Sequence, residues 1–459
     1  MNLPWSEWLS QLLFVSSWLL IPLIVEVVPA FIGMLSLHLH RESPNEWTIP
    51  DSALPPVTLI IPIYNSEQNL ESCLTSVYQS HYPSNHIEVL LANNQTADNS
   101  RQVFERCRTQ FPQLSIQWMD TAQGKAKALN AALFNSHGAY ILNIDSDGTL
   151  HPDAIRRMVA YLEYHPQLQC ATGTVLIDPH LIRQTAKPAL RRLQTLECLE
   201  YAQTFLVGRY LESRRNQLFT ISGAFSAFRR EALLDSQLYH TGTLCEDTYI
   251  TFEFREQYPD GVGFCKDAVF LTDPIDSLDH LYTQRKRWQK GELEIAHLFL
   301  QKRLHKPFGF FRDFCIRLLV QDHTFAFPRA VWWAVLAVLI VTQDYSAMLV
   351  ALSLLTVYGC YTLLAFAYYG TACAMMKQIS EYRQAYRRMA GWVFLFPLYK
   401  SMLFWMRLAG FFDGTSYGSA WKSRSLTQEW HIFCTIVRRD FAWVHALHQT
   451  VKRLFNQES

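Results

Sequence analysis

The sequence has no excess of charge of either sign: 41 Lys and Arg face 40 Asp and Glu, a formal charge of +1. It therefore lacks the global basic footprint of a nucleic-acid-binding chain, and charge is informative only locally. Its ten cysteines contain no Cys-x-x-Cys pair and no partnering His spacing, which argues against a zinc site or a disulfide framework. No inverted repeat is apparent, which argues against a transporter. The N-terminal apolar stretch lacks the basic start and small-residue cleavage site of a secretory signal and is too long for one. What the chain does have is apolar residues. At 459 residues, 49% hydrophobic and 14% aromatic, it exceeds the apolar content of ordinary soluble enzymes, which predicts two or three domains with part of the chain in lipid.

Residues 11–38 carry almost no charge apart from Glu26 and are long enough to cross a bilayer. One N-terminal membrane helix is expected there, kinked at Pro22 and Pro29, with Glu26 facing a protein partner rather than lipid. Further apolar runs at 330–342, 347–376 and 391–412 predict three more membrane segments. His40, Arg41, Arg329, Lys377, Arg383, Arg387 and Arg388 mark the cytosolic side, whereas the connection 343–346 has no Lys or Arg. The N-terminus is then outside and the middle of the chain cytosolic. Lys400 and Arg407 lie inside the last run, and Lys422, Arg424, Arg438, Arg439, Lys452 and Arg453 follow it. A re-entrant or interfacial segment with a cytosolic tail is expected there. The division is 1–50 for the first helix and linker, 51–300 for a cytosolic domain, and 301–459 for interfacial helices, the C-terminal membrane region and the tail.

The middle region reads as α/β. Short buried strands are predicted at 57–63, 87–91, 115–119 and 139–144, with helical apolar spacing between them. Such alternation implies a mainly parallel sheet covered on both faces, with ligands at the carboxyl ends of the strands. The chemistry-bearing clusters begin at those ends. Asp145-Ser146-Asp147 follows the fourth strand, and two carboxylates at that spacing can hold Mg or Mn against a diphosphate; the plain alternative is a turn. Tyr64 and Asn65 follow the first strand, where a nucleobase could stack. Gly124-Lys125-Ala126-Lys127 opens a helix with two cations suited to phosphate. Ser222-Gly223-Ala224-Phe225 begins with residues small enough for close backbone approach. Glu246-Asp247 is either a helix cap or a general base whose proton affinity its neighbour raises. Gln284-Arg285-Lys286-Arg287-Trp288 offers a guanidinium for phosphate and a flat ring for a sugar, or alternatively an interfacial anchor.

Asp145-Ser146-Asp147, then Glu246-Asp247, then Gln284-Arg285-Lys286-Arg287-Trp288, inside a domain followed by membrane segments, resembles the processive membrane glycosyltransferases of family 2. That group includes cellulose, hyaluronan and poly-N-acetylglucosamine synthases, and the resemblance covers about residues 55–300. It implies a GT-A-type nucleotide-diphospho-sugar transferase domain plus N- and C-terminal transmembrane helices. It also implies an inverting enzyme that depends on Mg or Mn and uses a UDP-sugar, such as UDP-GlcNAc, to build or extend a cell-surface polysaccharide or glycolipid. By that resemblance Asp145 touches the nucleoside diphosphate and, with Asp147, the metal. Asp247, beside Glu246, is the base that deprotonates the acceptor hydroxyl. Tyr64, Asn93 and Lys125 seat the nucleotide, Gln284 and Arg287 hold the diphosphate, and Gly223, Phe225 and Trp288 line the acceptor path.

One departure stands out: the family places a base-contacting aspartate at the end of the second strand, where this chain has Asn93. An amide both donates and accepts, so base preference can differ. Implied partners are the nucleotide-sugar donor, a carbohydrate or lipid-linked acceptor, membrane lipid and other membrane proteins, with no nucleic acid. A multi-pass location in a bacterial plasma membrane is expected. Two alternatives stay open: transfer of a single sugar to a lipid-linked acceptor, and a catalytically silent scaffold of a surface-polymer assembly.

Overall fold

The computed structural model describes residues 23–39, 47–303, 347–416 and 424–440, with isolated positions before residue 11 and between 331 and 342. The expectations resting on 11–22, 40–41, 329–330, 343–346, 422 and 452–453 lie outside the described residues.

The centre of the chain is an eight-stranded sheet. Its strands are β1 (Val57–Ile63), β2 (Ile87–Asn93), β3 (Ser115–Asp120), β4 (Tyr140–Ile144), β5 (Gly148–Leu150), β6 (Cys170–Ile177), β7 (Phe225–Arg229) and β8 (Val262–Thr272), in the order β3-β2-β1-β4-β7-β6-β8-β5. The central strands are nearly continuous apolar runs: every residue of β4 and β6 is buried, as expected of strands covered on both faces. β3 alternates exposed and covered positions, which suits its place at the sheet edge.

The sheet is mixed, which corrects the mainly parallel expectation. β1 pairs in parallel with β2 and β4, β2 with β3, and β6 with β8. β7, however, runs antiparallel between β4 and β6, and β5 antiparallel to β8. The physical reason is the connection. A long helical excursion leaves β6 at its carboxyl end and returns the chain at that same end of the sheet, so β7 runs back antiparallel. Four predicted strands match β1 to β4; the second half carries the reversal.

The helices are α1 (Val28–Leu39), α2 (Leu70–Tyr78), α3 (Ser100–Gln110), α4 (Lys125–Phe134), α5 (Ala154–Tyr164), α6 (Pro179–Gln184), α7 (Pro188–Tyr201), α8 (Arg209–Arg214), α9 (Arg230–Leu234), α10 (Glu246–Gln257), α11 (Leu278–Arg303), α12 (Ala347–Met375), α13 (Ser380–Arg387), α14 (Phe396–Ser416) and α15 (Leu426–Asp440). α2 shows why these segments are helical: Leu70, Cys73, Leu74 and Val77 recur at three- and four-residue spacing and form one fully buried stripe.

Among the described residues one helix is long and apolar enough to cross a membrane, Met348–Gln378, with mean hydropathy 1.9. Ser380–Arg387 and Ala390–Asp413 pass the same test only as a pair bent by 59°. The described part of the N-terminal run supplies a shorter apolar helix, Val28–Leu37. Glu26 accepts a 2.6 Å hydrogen bond from the Tyr361 hydroxyl on α12, so it does face a protein group. Residues of α12, α13 and α14, including Ala372, Tyr386 and Tyr399, join the same apolar core as the sheet.

Candidate active site

β1 is flanked by β2 on one side and β4 on the other, so the chain reverses its direction of travel across the sheet at β1/β4. In open α/β sheets that switch point opens a crevice beyond the carboxyl ends of the strands. Tyr64 follows β1 and Asp145 follows β4, one on each lip, and the Tyr64 ring is exposed.

The floor of the crevice is a charged cluster gathered from three distant segments. Lys125, first residue of α4, places its Nζ 2.6 Å from Asp145 Oδ1 and 3.6 Å from Glu246 Oε1. Desolvation opposes the ammonium charge, but Asp145 and Glu246 outweigh it and hold the Lys125 pKa above the ordinary lysine range. Burial raises the Glu246 carboxyl above its usual value against the pull of Lys125, with the adjacent Asp247 adding to the rise. Glu246 and Asp247 are the first two residues of α10, where carboxylates also suit the helix dipole. Asp247 is held on both oxygens: Oδ2 accepts from the Gly223 amide at 3.1 Å and Oδ1 from the Thr248 amide at 2.7 Å.

Gly223 is required by close approach. A Cβ at this position would lie 3.2 Å from Asp247 Oδ2 and 3.3 Å from Lys125 Nζ, so only hydrogen fits comfortably between the carboxylate and the ammonium. The Asp145 amide donates to the Ala224 carbonyl at 3.2 Å, which ties the Gly223 segment to the end of β4.

Asp145 and Asp147 flank Ser146, whose hydroxyl meets that of Ser66 at 2.7 Å. Desolvation, and then the Asp145 charge, push the Asp147 carboxyl up to about 7. Two crowded carboxylates fit a hard divalent cation, which would relieve their repulsion. Among the described residues no third His, Cys, Asp or Glu joins this pair as a metal ligand.

Asn93 ends β2, and both ends of its side-chain amide are hydrogen-bonded. Its Nδ2 donates to Asp120 Oδ1 at 2.9 Å and its Oδ1 accepts from the Thr96 amide at 2.9 Å. Asp120 stands opposite Asn93 in the β2–β3 register, also accepts from Trp118 Nε1 at 2.8 Å, and remains exposed. Sequence reading missed Asp120; its signal was a carboxylate at the end of a predicted strand. The next residue, Asn94, accepts from the Gly124 amide and so fixes the start of α4 and Lys125.

The Gln284–Trp288 stretch lies on α11, where Gln284, Arg287 and Trp288 are half-buried and Arg285 and Lys286 are buried. Arg285 donates to Glu200 Oε2 at 2.7 Å, its guanidinium sits 4.3 Å from the Trp288 ring centre, and its Nη1 donates to Gln284 Oε1 at 2.9 Å. Tyr399 of α14 donates to the same Glu200 oxygen at 2.9 Å. Lys286 pairs with Asp413 at 2.8 Å and with Glu429 of α15. α11 reaches α10 through Gly291, where a Cβ would fall 2.3 Å from Cys245 Sγ, immediately before Glu246. Glu200 and Glu429 had no local sequence signal.

Phe225 requires a correction. It is fully buried at the head of β7, 6.2 Å ring to ring from Phe270, and does not reach the crevice. Both faces of β7 are covered here, since Phe225 through Phe228 are all buried, and the Phe225 ring packs against Gly173.

This crevice, with paired carboxylates, a buried lysine and a glycine-held aspartate at a switch point, defines a nucleotide-sugar transferase class of site. Residues 58–235 match the family Glycosyl transferase family 2, in keeping with a glycosyltransferase. The chain is 23% identical over 239 residues to a poly-beta-1,6-N-acetyl-D-glucosamine synthase of Staphylococcus epidermidis, covering 52% of this chain and 55% of that protein. It is 24% identical over 244 residues to the synthase of the same name in Staphylococcus aureus strain COL. The chain spans about half the length of these curated relatives. A mannosyltransferase from Pyrobaculum calidifontis, solved with GDP-Man and Mn2+, shares the fold at TM-score 0.60 and 17% identity, covering 89% of this chain and 98% of that one.

Proposed function

We propose that this chain is an inverting glycosyltransferase that moves a sugar, N-acetylglucosamine first among candidates, from a UDP-sugar to a carbohydrate or lipid-linked acceptor at a bacterial plasma membrane. The observation that carries this reading is the convergence of Lys125, Asp145, Glu246, Gly223 and Asp247 at the switch-point crevice. The acceptor hydroxyl oxygen bonds the anomeric carbon while the bond from that carbon to the diphosphate oxygen breaks, and Asp247 takes the hydroxyl proton. Its two backbone hydrogen bonds fix the direction of its carboxylate without consuming it. A single displacement from the opposite face inverts the anomeric centre.

Lys125 and Arg287 meet the charge that develops on the leaving diphosphate. A divalent cation, Mg or Mn, held by Asp145 and Asp147, would supply Lewis-acid neutralisation of the same diphosphate. Tyr64 stacks on the base, and the exposed Asp120 carboxylate, steadied by Asn93, accepts the imide N–H of uracil. Trp288, held face-on by Arg285, carries the acceptor sugar. Met348–Gln378 is a membrane span in this reading, one of several, with the catalytic domain cytosolic and other membrane proteins as partners.

The test is release of nucleoside diphosphate from a donor panel by detergent-purified protein, with and without lipid extract. Release from one donor, lost with EDTA and with Asp247→Asn, supports the proposal, and product length separates polymer from single transfer. Metal-dependent nucleotide binding with no turnover on any donor would instead favour a scaffold.

A further inference from the structure

Away from the crevice, α6, α7, α13 and the helical turn Ala390–Leu395 enclose a cleft of about 320 Å³. Arg183, Arg191, Arg192 and Arg388 line it, over an apolar floor that includes Ile182 and Trp392. Among the described residues none of these four guanidinium groups is engaged in an ion pair, although they converge from chain segments some two hundred residues apart. Pro188, at the start of the 14-residue α7, also lines the cleft, which adds the positive end of a helix dipole. Arginine forks match phosphate oxygens in pairs, and the volume lies within the range of ligand pockets. The cleft adjoins α13, which begins two residues after Met348–Gln378 ends.

From this arrangement we infer that the cleft binds the phosphate head of an anionic membrane lipid, with the lipid's apolar part laid on Trp392 and Ile182. The inference rests on reading Met348–Gln378 as a membrane span. It also gives the lipid a route to the transferase. The first turns of α7 carry Arg191 and Arg192, and its last turn carries Glu200, which holds Arg285 beneath Trp288. An occupied cleft steadies α7 and through it the acceptor-side helix.

The test uses the full chain in a neutral detergent. A soluble short-chain phosphatidylglycerol, the matching phosphatidylcholine and inorganic phosphate are titrated separately, with bound molecules counted by native mass spectrometry. One phosphatidylglycerol should bind saturably and in preference to phosphatidylcholine. Each guanidinium contributes about fivefold near an anionic headgroup, so Arg191→Gln/Arg192→Gln/Arg388→Gln should bind about a hundredfold more weakly at an unchanged unfolding temperature. Equal binding by that variant, or no preference over phosphatidylcholine, overturns the inference. Phosphate binding as tightly as phosphatidylglycerol assigns the site to free phosphate and overturns its lipid part. Carbonate washing of native membranes checks the span separately: release of the chain defeats the membrane reading whatever the titration gives.

Discussion

Replacing Gly223 by alanine tests the catalytic assignment with one methyl group. The new Cβ would sit 3.2 Å from Asp247 Oδ2 and 3.3 Å from Lys125 Nζ, inside ordinary contact, so the carboxylate must retreat by a few tenths of an ångström. That retreat stretches the 3.1 Å bond from the Gly223 amide, one of the two that aim Asp247. A hydrogen bond to a charged group is worth about 1.5–3 kcal/mol, which corresponds to roughly tenfold to a hundredfold in rate if it is lost from the transition state. The backbone at Gly223 lies outside the left-handed region, so alanine introduces no conformational strain and the unfolding temperature should stay close to that of the parent. Nucleoside diphosphate release should show kcat falling by that factor while donor binding, followed by isothermal titration, is nearly unchanged. A variant with parental kcat, or one whose loss of rate merely tracks unfolding, would refute the placement of Asp247 as the base.

Four further outcomes are expected. EDTA should abolish turnover and added Mn or Mg restore it, and Asp147→Asn should raise the metal concentration needed for half-maximal rate. Arg285→Ala strands the buried Glu200 carboxylate and should lower stability by about 3–5 kcal/mol, read by denaturant unfolding; Arg285→Lys should recover part of the stability but little of the acceptor affinity. Burial pushes the Glu197 carboxyl up to about 8 against the pull of Arg285. Because that value lies above the unfolded-state pKa of about 4.3, its contribution to stability is full below that pH and is lost as pH rises towards about 8, so Glu197→Gln should flatten the unfolding midpoint across that window. Gly291→Ala, whose Cβ would meet Cys245 Sγ at 2.3 Å, should push α11 from α10 and lower both stability and kcat; a fully active variant would show that the two helices move independently.

Much of the site was legible because its chemistry is concentrated in short runs at element ends. Asp145 and Asp147 follow an unbroken apolar strand, Lys125 opens a helix, and Glu246-Asp247 opens another. Local spacing carries that much, since strand ends and helix starts are set by neighbouring residues. Glu246-Asp247 had no adjacent cation in the sequence, however, and the fold supplies one, Lys125, from more than a hundred residues away. Phe225 illustrates the converse: its neighbours Gly223 and Ala224 suggested a lining role, and only the pairing of β7 decided that its ring faces the core.

The amino-acid sequence alone determined the first four strands, the starts of the charged helices and the apolar stretches, because these follow from periodicity and residue type within windows of about ten to twenty residues. Tertiary structure decided the reversed β7 and the mixed sheet. It also decided the Asn93–Asp120 pair at the ends of β2 and β3, the Arg285–Glu200–Tyr399 network and the arginine cleft between α7 and α13. Each of these joins residues whose separation along the chain tells nothing about their separation in space. Strand order and helix docking are set by burial summed over the whole domain rather than by any local run of residues.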